Sequence, residues 1–364
     1  MKRAVPFKLT LILFLIPLLS IATDNSGLPG KYKKEKVIKK EFKVSANANL
    51  TVNNSYGNLD IVTWSENRIV FEITIMTSGN NEEKVQDKLD EITVEFNADN
   101  SNVSARTKFG QGKSSSWWNW GGKNNVHMKV NYIVKVPITN SIDLNNDYGN
   151  INVGKLKGRA KINCDYGKIT TKELLADDNQ LTFDYTSGCY FDYIKTGKIN
   201  ADYSSYKVGK TKALDINADY TQSEVDIAED ITYNCDYGSL KVHNANTVSG
   251  NGDYVTILMG NIYKAVSIKA SYGAVKIEKL HPSFKGLNLK TDYTGIKIGY
   301  DSSLDFDFDL DLEYADISGD TDFNFLQRIR ESHRKKYIGY YGTQNSSNKL
   351  TISSDYGGVT FYKH

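Results

Sequence analysis

The chain has 364 residues, with 45 lysines and arginines against 43 aspartates and glutamates, a formal net charge of +2. Charge this evenly balanced excludes nucleic acid as a partner, since that binding needs clustered basic side chains. Five prolines are few for an all-β chain, three cysteines leave an odd thiol, and 24 tyrosines are an excess whose positions carry the fold.

At the start, Met1-Lys2-Arg3 precedes an apolar run, Leu9 to Ile21, broken by Pro17, with the small residues Ser20 and Ala22 at its end. These features predict a secretory signal peptide over residues 1–22 and an exported chain, periplasmic, outer-membrane-surface or secreted. The run is too short for a comfortable span, and no second one follows, so no transmembrane segment is expected in the mature chain. Residues 23–40 read as a flexible segment.

Residues 41–140 read as a β-rich N-terminal cap. Leu50 and Val52 lead into Ser55-Tyr56-Gly57, and Ile69 to Ile75 is a strong strand. Asn80-Asn81 can cap one short helix with an apolar stripe of Val85, Leu89 and Ile92, Glu82 and Glu83 lying in its first turn. Strands are expected near 92–96, 103–107 and 127–136. Between them, residues 109–126 are rich in Gly, Ser and Asn and carry Trp117, Trp118 and Trp120. These indoles either fold back over the cap or form an exposed aromatic tip that meets a sugar, a partner or a membrane interface.

From residue 141 to 364 one tripeptide recurs. Its tyrosines are Tyr148, Tyr166, Tyr185, Tyr203, Tyr220, Tyr237, Tyr254, Tyr272, Tyr293, Tyr314 and Tyr356, mostly as Asp-Tyr-Gly, Asp-Tyr-Thr or Asp-Tyr-Ser. Spacings are 17 to 21 residues up to Tyr314, and the final 42 counts as two steps. Inside a repeat the pattern alternates: Leu214, Ile216, Ala218 and Tyr220 share one parity, with polar residues on the other. The Gly after Tyr marks a bend in which glycine tolerates unusual dihedrals. Two or three short strands per repeat, without helices between, predict an all-β fold. Its expected body is a parallel single-stranded β-solenoid (β-helix), each rung stacked on the next. An insertion over about residues 321–349 holds Arg328, Arg330, His333, Arg334, Lys335 and Lys336. It is either a solvated face or a basic patch for acidic glycans or a membrane surface.

Chemistry is sparse. Asp147, Asp165, Asp184, Asp202, Asp219, Asp236 and Asp253 should form a column of mutually repelling carboxylates, compensated by turn amides, neighbouring Lys or Asn, or cations. The calcium-binding β-roll motif is absent, so no metal site is assigned. The five histidines share no rung position, and no nucleophile elbow, zinc motif or phosphate loop occurs. No catalytic residue and no cofactor is expected, and the chain is not read as an enzyme. A groove lined by two or more carboxylates outside the Asp column would revive the alternative, a carbohydrate-active enzyme on a β-helix. Cys164 and Cys235 stand where other repeats have Ala and read as buried fillers.

Asn53-Asn54-Ser55-Tyr56-Gly57-Asn58-Leu59-Asp60-Ile61, Val130 to Pro137, the Asp-Tyr-Gly repeats and Ser354-Asp355-Tyr356-Gly357-Gly358-Val359 together resemble an adhesin family of exported β-strand-repeat proteins. It is a domain-of-unknown-function group of Bacteroidetes-type bacteria. The resemblance implies a β-solenoid at the cell envelope with an adhesin-like role and carries over no catalytic residues. A non-enzymatic binding or scaffold protein for an envelope glycan or protein is therefore expected, with a purely structural envelope component as the remaining reading.

Overall fold

The computed structural model describes residues 27–110, 126–319 and 321–364. It is an all-β structure of 24 strands with one helix, the strands joined through their ladders into one assembly. The predicted signal peptide and the tryptophan loop lie outside the described residues.

Each repeat contributes a strand before its tyrosine and a strand after it. The first strands pair in parallel and in register. Asp147 lies opposite Asp165, and the series continues through Asp184, Asp202 and Asp219 to Asp236. The second strands pair likewise, Ile151–Val153 with Ile169–Leu174 and that strand with Cys189–Asp202. Gln222–Ser271 runs as uninterrupted strand through the corners at Tyr237 and Tyr254. Because the side-chain period of a strand is two, in-register pairing keeps every apolar residue on the same face. Ile162, Leu181, Ile199, Ile216 and Tyr233 thus form one inward column, all fully or almost fully buried. Burying each aliphatic side chain of this kind stabilises by about 1.5–3 kcal/mol. Tyr233 fits because the next repeat has Gly250, whose missing side chain leaves room for the ring.

Toward the N-terminus, Asn49–Ser55 pairs in parallel with both Ser141–Asp147 and Asn102–Phe109. Leu59–Trp64 does so with Ile151–Val153 and His127–Pro137. Antiparallel strands then close this end: Arg68–Gly79 against His127–Pro137, Tyr32–Lys43 against Arg68–Gly79, and Ile92–Ala98 against Asn102–Phe109. The helix Glu82–Glu91 begins as its sequence predicts. The Asn81 side chain accepts from the Lys84 N–H at 3.0 Å, and Val85 and Leu89 are buried. The segment Tyr32–Lys43 is a regular strand where flexible chain was expected, held by twelve in-register partners on Arg68–Gly79.

At the other end the order of the chain and the order in space diverge. Lys349–Asp355 lies between Gly286–Asp292 and Phe306–Glu313, parallel to both. The last repeat therefore fills a slot that the chain skipped. The interval from Tyr314 to Tyr356 is not two steps onward but one step back. The insertion is a hairpin, Asn324–Arg330 with Arg334–Tyr341, and its second strand pairs antiparallel with the outer edge of Phe306–Glu313. Phe323, Phe325, Tyr337 and Tyr341 pack there with Tyr300, Phe306, Phe308 and Phe361 as an aromatic plug.

Two readings of the corner need correcting. Parity placed Tyr220 inward with Ile216 and Ala218, but the repeat tyrosines all have φ between 46 and 62°. That left-handed backbone turns each ring outward; about half of each surface is exposed from Tyr148 onward, and Tyr56 is less exposed. A non-glycine residue in this conformation costs roughly 1–2 kcal/mol. The glycine after the tyrosine, in contrast, does not have positive φ. It is there for space: a Cβ on Gly149 would overlap the Gly57 carbonyl, and one on Gly167 the Gly149 carbonyl.

Candidate binding face

Register brings the outward tyrosines into one continuous stack. Tyr56, Tyr148, Tyr166, Tyr185, Tyr203, Tyr220, Tyr237, Tyr254, Tyr272, Tyr293, Tyr356 and Tyr314 follow each other with centroids 4.6–5.3 Å apart and planes within 8° of parallel. Phe109 closes the stack edge-on at Tyr56, and His333 of the hairpin lies over Tyr314. Offset stacking of this kind adds about 0.5–1.5 kcal/mol per ring pair, enough to offset the left-handed corner. The faces are covered by neighbouring rings, so the stripe offers edges and hydroxyls. At one rung per ~4.8 Å it runs on the order of 50 Å.

The aspartate column runs beside it and answers the question of compensation. The Asp184 carboxylate accepts the Asp202 N–H at 3.1 Å. The carboxylates of Asp202, Asp219 and Asp236 each accept the N–H of the next aspartate at 3.0–3.2 Å. These four carboxylates thus cap the following repeat through its backbone N–H, which is the amide alternative. Among the described residues, Asp147, Asp165, Asp184, Asp202, Asp219, Asp236, Asp253, Asp292 and Asp355 have no Lys, Arg or His within ion-pair distance. Desolvation, then the neighbouring Asp147, raises the Asp165 pKa above the usual carboxylate value. Burial, then the adjacent ring hydroxyls, pushes Tyr166 and Tyr220 up. Outboard of the aspartates, Asn145, Asn163, Asn200, Asn217 and Asn234 continue the polar face, and the Asn234 amide donates to Asn217 at 3.3 Å.

The structure also makes a cluster that the scattered histidines did not announce. His243 lies 2.8 Å from Glu224 and 3.7 Å from Asp226, one repeat on. The signal was the 17-residue interval from Asp226 to His243, equal to the local repeat. Lys207 reaches Asp226 at 2.8 Å and Glu224 at 3.2 Å, and Lys241 lies 3.9 Å from Glu224. The ligand-like atoms fall within 4.8 Å of each other, but a lysine ammonium already sits between the carboxylates. Two lysines against two acids make this a balanced ion-pair network.

A shallow groove on the flank is lined by Asp178, Asp215 and Asp230, with Gln180, Lys198 and Thr232. All three carboxylates are exposed, and Asp215 faces Lys198 at 3.6 Å. The basic insertion is largely neutralised: Arg334 pairs with Asp311, Lys335 with Asp316 and Lys336 with Asp309. Trp117, Trp118 and Trp120 lie outside the described residues. All three cysteines are free and buried; burial pushes the Cys164 and Cys235 thiols up to about 12. Among the described residues no helix is long and apolar enough to cross a membrane.

No family model matches the chain, and no curated protein does. Solved structures do. A candidate cell adhesion protein from Clostridium sporogenes is 10% identical, covers 91% of this chain and 100% of its own, with a TM-score of 0.19. A candidate adhesin from Parabacteroides merdae is 11% identical, with coverage of 90% and 96% and a TM-score of 0.34. A candidate lipid binding protein from Parabacteroides distasonis is 9% identical, with coverage of 90% and 96% and a TM-score of 0.27. The chain is thus similar to solved candidate adhesins from Bacteroidetes and Clostridium.

Proposed function

We propose that the chain is a non-enzymatic, exported, adhesin-like binding and scaffold protein, and that its tyrosine–aspartate stripe is the binding face. The body is a parallel β-solenoid over residues 141–364, capped by residues 41–140 and delivered by a signal peptide over residues 1–22. In-register parallel pairing at one-repeat intervals supports the coil, because each rung can satisfy its backbone only on its two neighbours. The observation that carries the function is the stripe itself. Nearly all of the exposed large apolar side chains outside the two ends lie on it, and extended exposed apolar surface marks interaction sites. Trp117, Trp118 and Trp120 are a second contact point, on a loop between two cap strands.

Cell fractionation with binding of the purified chain to envelope glycans and proteins tests this. The mature chain should lack the first 22 residues, occur in the envelope or medium, and bind. Changing the three tryptophans to Ser should weaken binding while the melting transition stays put. A cytoplasmic chain with its N-terminus intact would sink the reading. One observation favours a second reading, a carbohydrate-active enzyme: the groove at Asp178, Asp215 and Asp230 meets the carboxylate criterion. Polysaccharide turnover abolished by Asp215→Asn would establish it. Against it, these carboxylates are exposed, whereas a general acid needs burial or a neighbour to raise its pKa.

A further inference from the structure

The stripe has a charge and a period, and both constrain what can lie along it. Nine aspartates occupy the same rung position without a cationic partner among the described residues, and four of them, Asp184, Asp202, Asp219 and Asp236, spend one oxygen on the next rung's N–H. Neighbouring unit charges about 5 Å apart repel by roughly 1 kcal/mol even at the dielectric of water. A second copy of the same stripe would double that repulsion, so self-association through this face is disfavoured. A polymer with regularly spaced positive charges would relieve it.

The pitch selects among such polymers. An extended peptide presents same-side residues about every 6.6–6.8 Å and drifts out of step with rings 4.6–5.3 Å apart. A polyproline-type peptide repeats every ~9.3 Å and reaches only alternate tyrosines. A linear chain of equatorially linked pyranose rings advances by close to one sugar per rung. Successive sugars in such a chain are turned over, so every sugar meets a tyrosine hydroxyl or ring edge and every second one turns its amino edge toward the carboxylates.

We propose that the stripe binds a linear polysaccharide bearing free amino groups, a hexosamine polymer at least partly without N-acetyl groups, laid parallel to the tyrosine stack. This rests on the reading of the stripe as the binding face. The ammonium groups on the edge that faces the aspartates would pair with ladder carboxylate oxygens left free by the N–H bonds, while the sugar hydroxyls exchange hydrogen bonds with the tyrosine hydroxyls and the flanking Asn217 and Asn234 amides.

The test is calorimetric titration of the full mature chain with a long glucosamine oligomer. An N-acetylglucosamine oligomer of equal length and a lysine homopeptide serve as controls. The glucosamine oligomer should bind best, and more weakly as salt rises. The triple change Asp202→Asn, Asp219→Asn and Asp236→Asn keeps an oxygen to cap the next rung but removes three charges. It should leave the far-ultraviolet circular dichroism unchanged and weaken binding about tenfold. Equal or tighter binding of the lysine peptide would overturn the sugar assignment. If the acetylated oligomer binds as well and the Asn variant is silent, the stripe is still a glycan face but the amino-group claim is wrong. Failure of every probe overturns the proposal. Binding of a probe that is insensitive to Tyr203→Gly, Tyr220→Gly and Tyr237→Gly together sinks the underlying reading of the stripe.

Discussion

A tyrosine in left-handed backbone is the unit on which this molecule turns its corners. Each ring accepts a conformation that L side chains avoid and recovers the cost by stacking on two others. The two effects separate in a pair of substitutions at Tyr220, which lies between Tyr203 and Tyr237 at 4.8 Å from each. Tyr220→Ala loses both stacks and keeps the backbone cost, so it should destabilise by about 1–3 kcal/mol in denaturant unfolding. Tyr220→Gly loses the same stacks but relieves the backbone, and should be less destabilising by about 1 kcal/mol. Alanine equal to or better than glycine would show that the corner is unstrained. The hydroxyls add a pH response. Tyr56, Tyr166, Tyr220, Tyr272 and Tyr356 hold their protons above the ordinary tyrosine value, through burial first and neighbouring tyrosines and acids next. Burial brings Tyr132 and Tyr300 to about 12. The unfolded chain ionises these groups near pH 10, the folded chain later. Stability is therefore full below that pH and falls as pH rises through the folded values. Melting temperature should drop steeply between about pH 10 and 12. A Tyr166→Phe, Tyr220→Phe, Tyr272→Phe variant should show a shallower drop; an unchanged slope would remove the ladder from the alkaline response.

Within a rung, the residue after the tyrosine is chosen by the carbonyl of the rung before. Two glycines separate this from loop flexibility. Gly149→Ala drives a Cβ into the Gly57 carbonyl, whereas a Cβ at Gly295 meets nothing within 4 Å. The first should cost about 2–3 kcal/mol, as overpacking does, and the second should stay within about 0.5 kcal/mol of the parent, as open surface positions do. Equal effects on the thermal midpoint would refute the close-approach account. Where glycine is absent the corner uses another device: Thr221 donates to the Asp219 and Ala201 carbonyls at 2.9 and 3.0 Å. Cys164 belongs to this economy of corners, its thiol lying 3.5 Å from the Gly149 carbonyl. The column that holds Ala201 and Ala218 should nonetheless accept Ala there at small cost.

At the scale of the molecule, a run of strands paired one repeat apart is as stable as its ends are covered. Phe323 touches six aromatic rings at the C-terminal end. Phe323→Ala should cost about 3–5 kcal/mol and lower the first unfolding transition, with hydrogen exchange rising first in Phe306–Glu313 and Lys349–Asp355. Uniform loss of protection along the chain would mean that the end is not a separate cap. The all-β class, the repeat length, the helix at Glu82–Glu91 with its Asn81 cap, and the columns of Ile, Leu and Ala were all legible in the sequence. Each depends on neighbours within one repeat or on a period that survives from repeat to repeat. The outward turn of the tyrosines was not legible, because parity cannot register a single residue whose backbone leaves the β region. Nor was the position of Tyr356, one step back between Tyr293 and Tyr314, since pairing partners 63 and 42 residues apart carry no local signal. Glu224, Asp226 and His243 meet because strands one repeat apart pair, and the 17 residues from Asp226 to His243 were the one trace of that in the sequence. Sequence determined which residues would lie along one repeat; only the pairing of strands in space decided which side chains became neighbours, because ladder hydrogen bonds, not chain order, set that register.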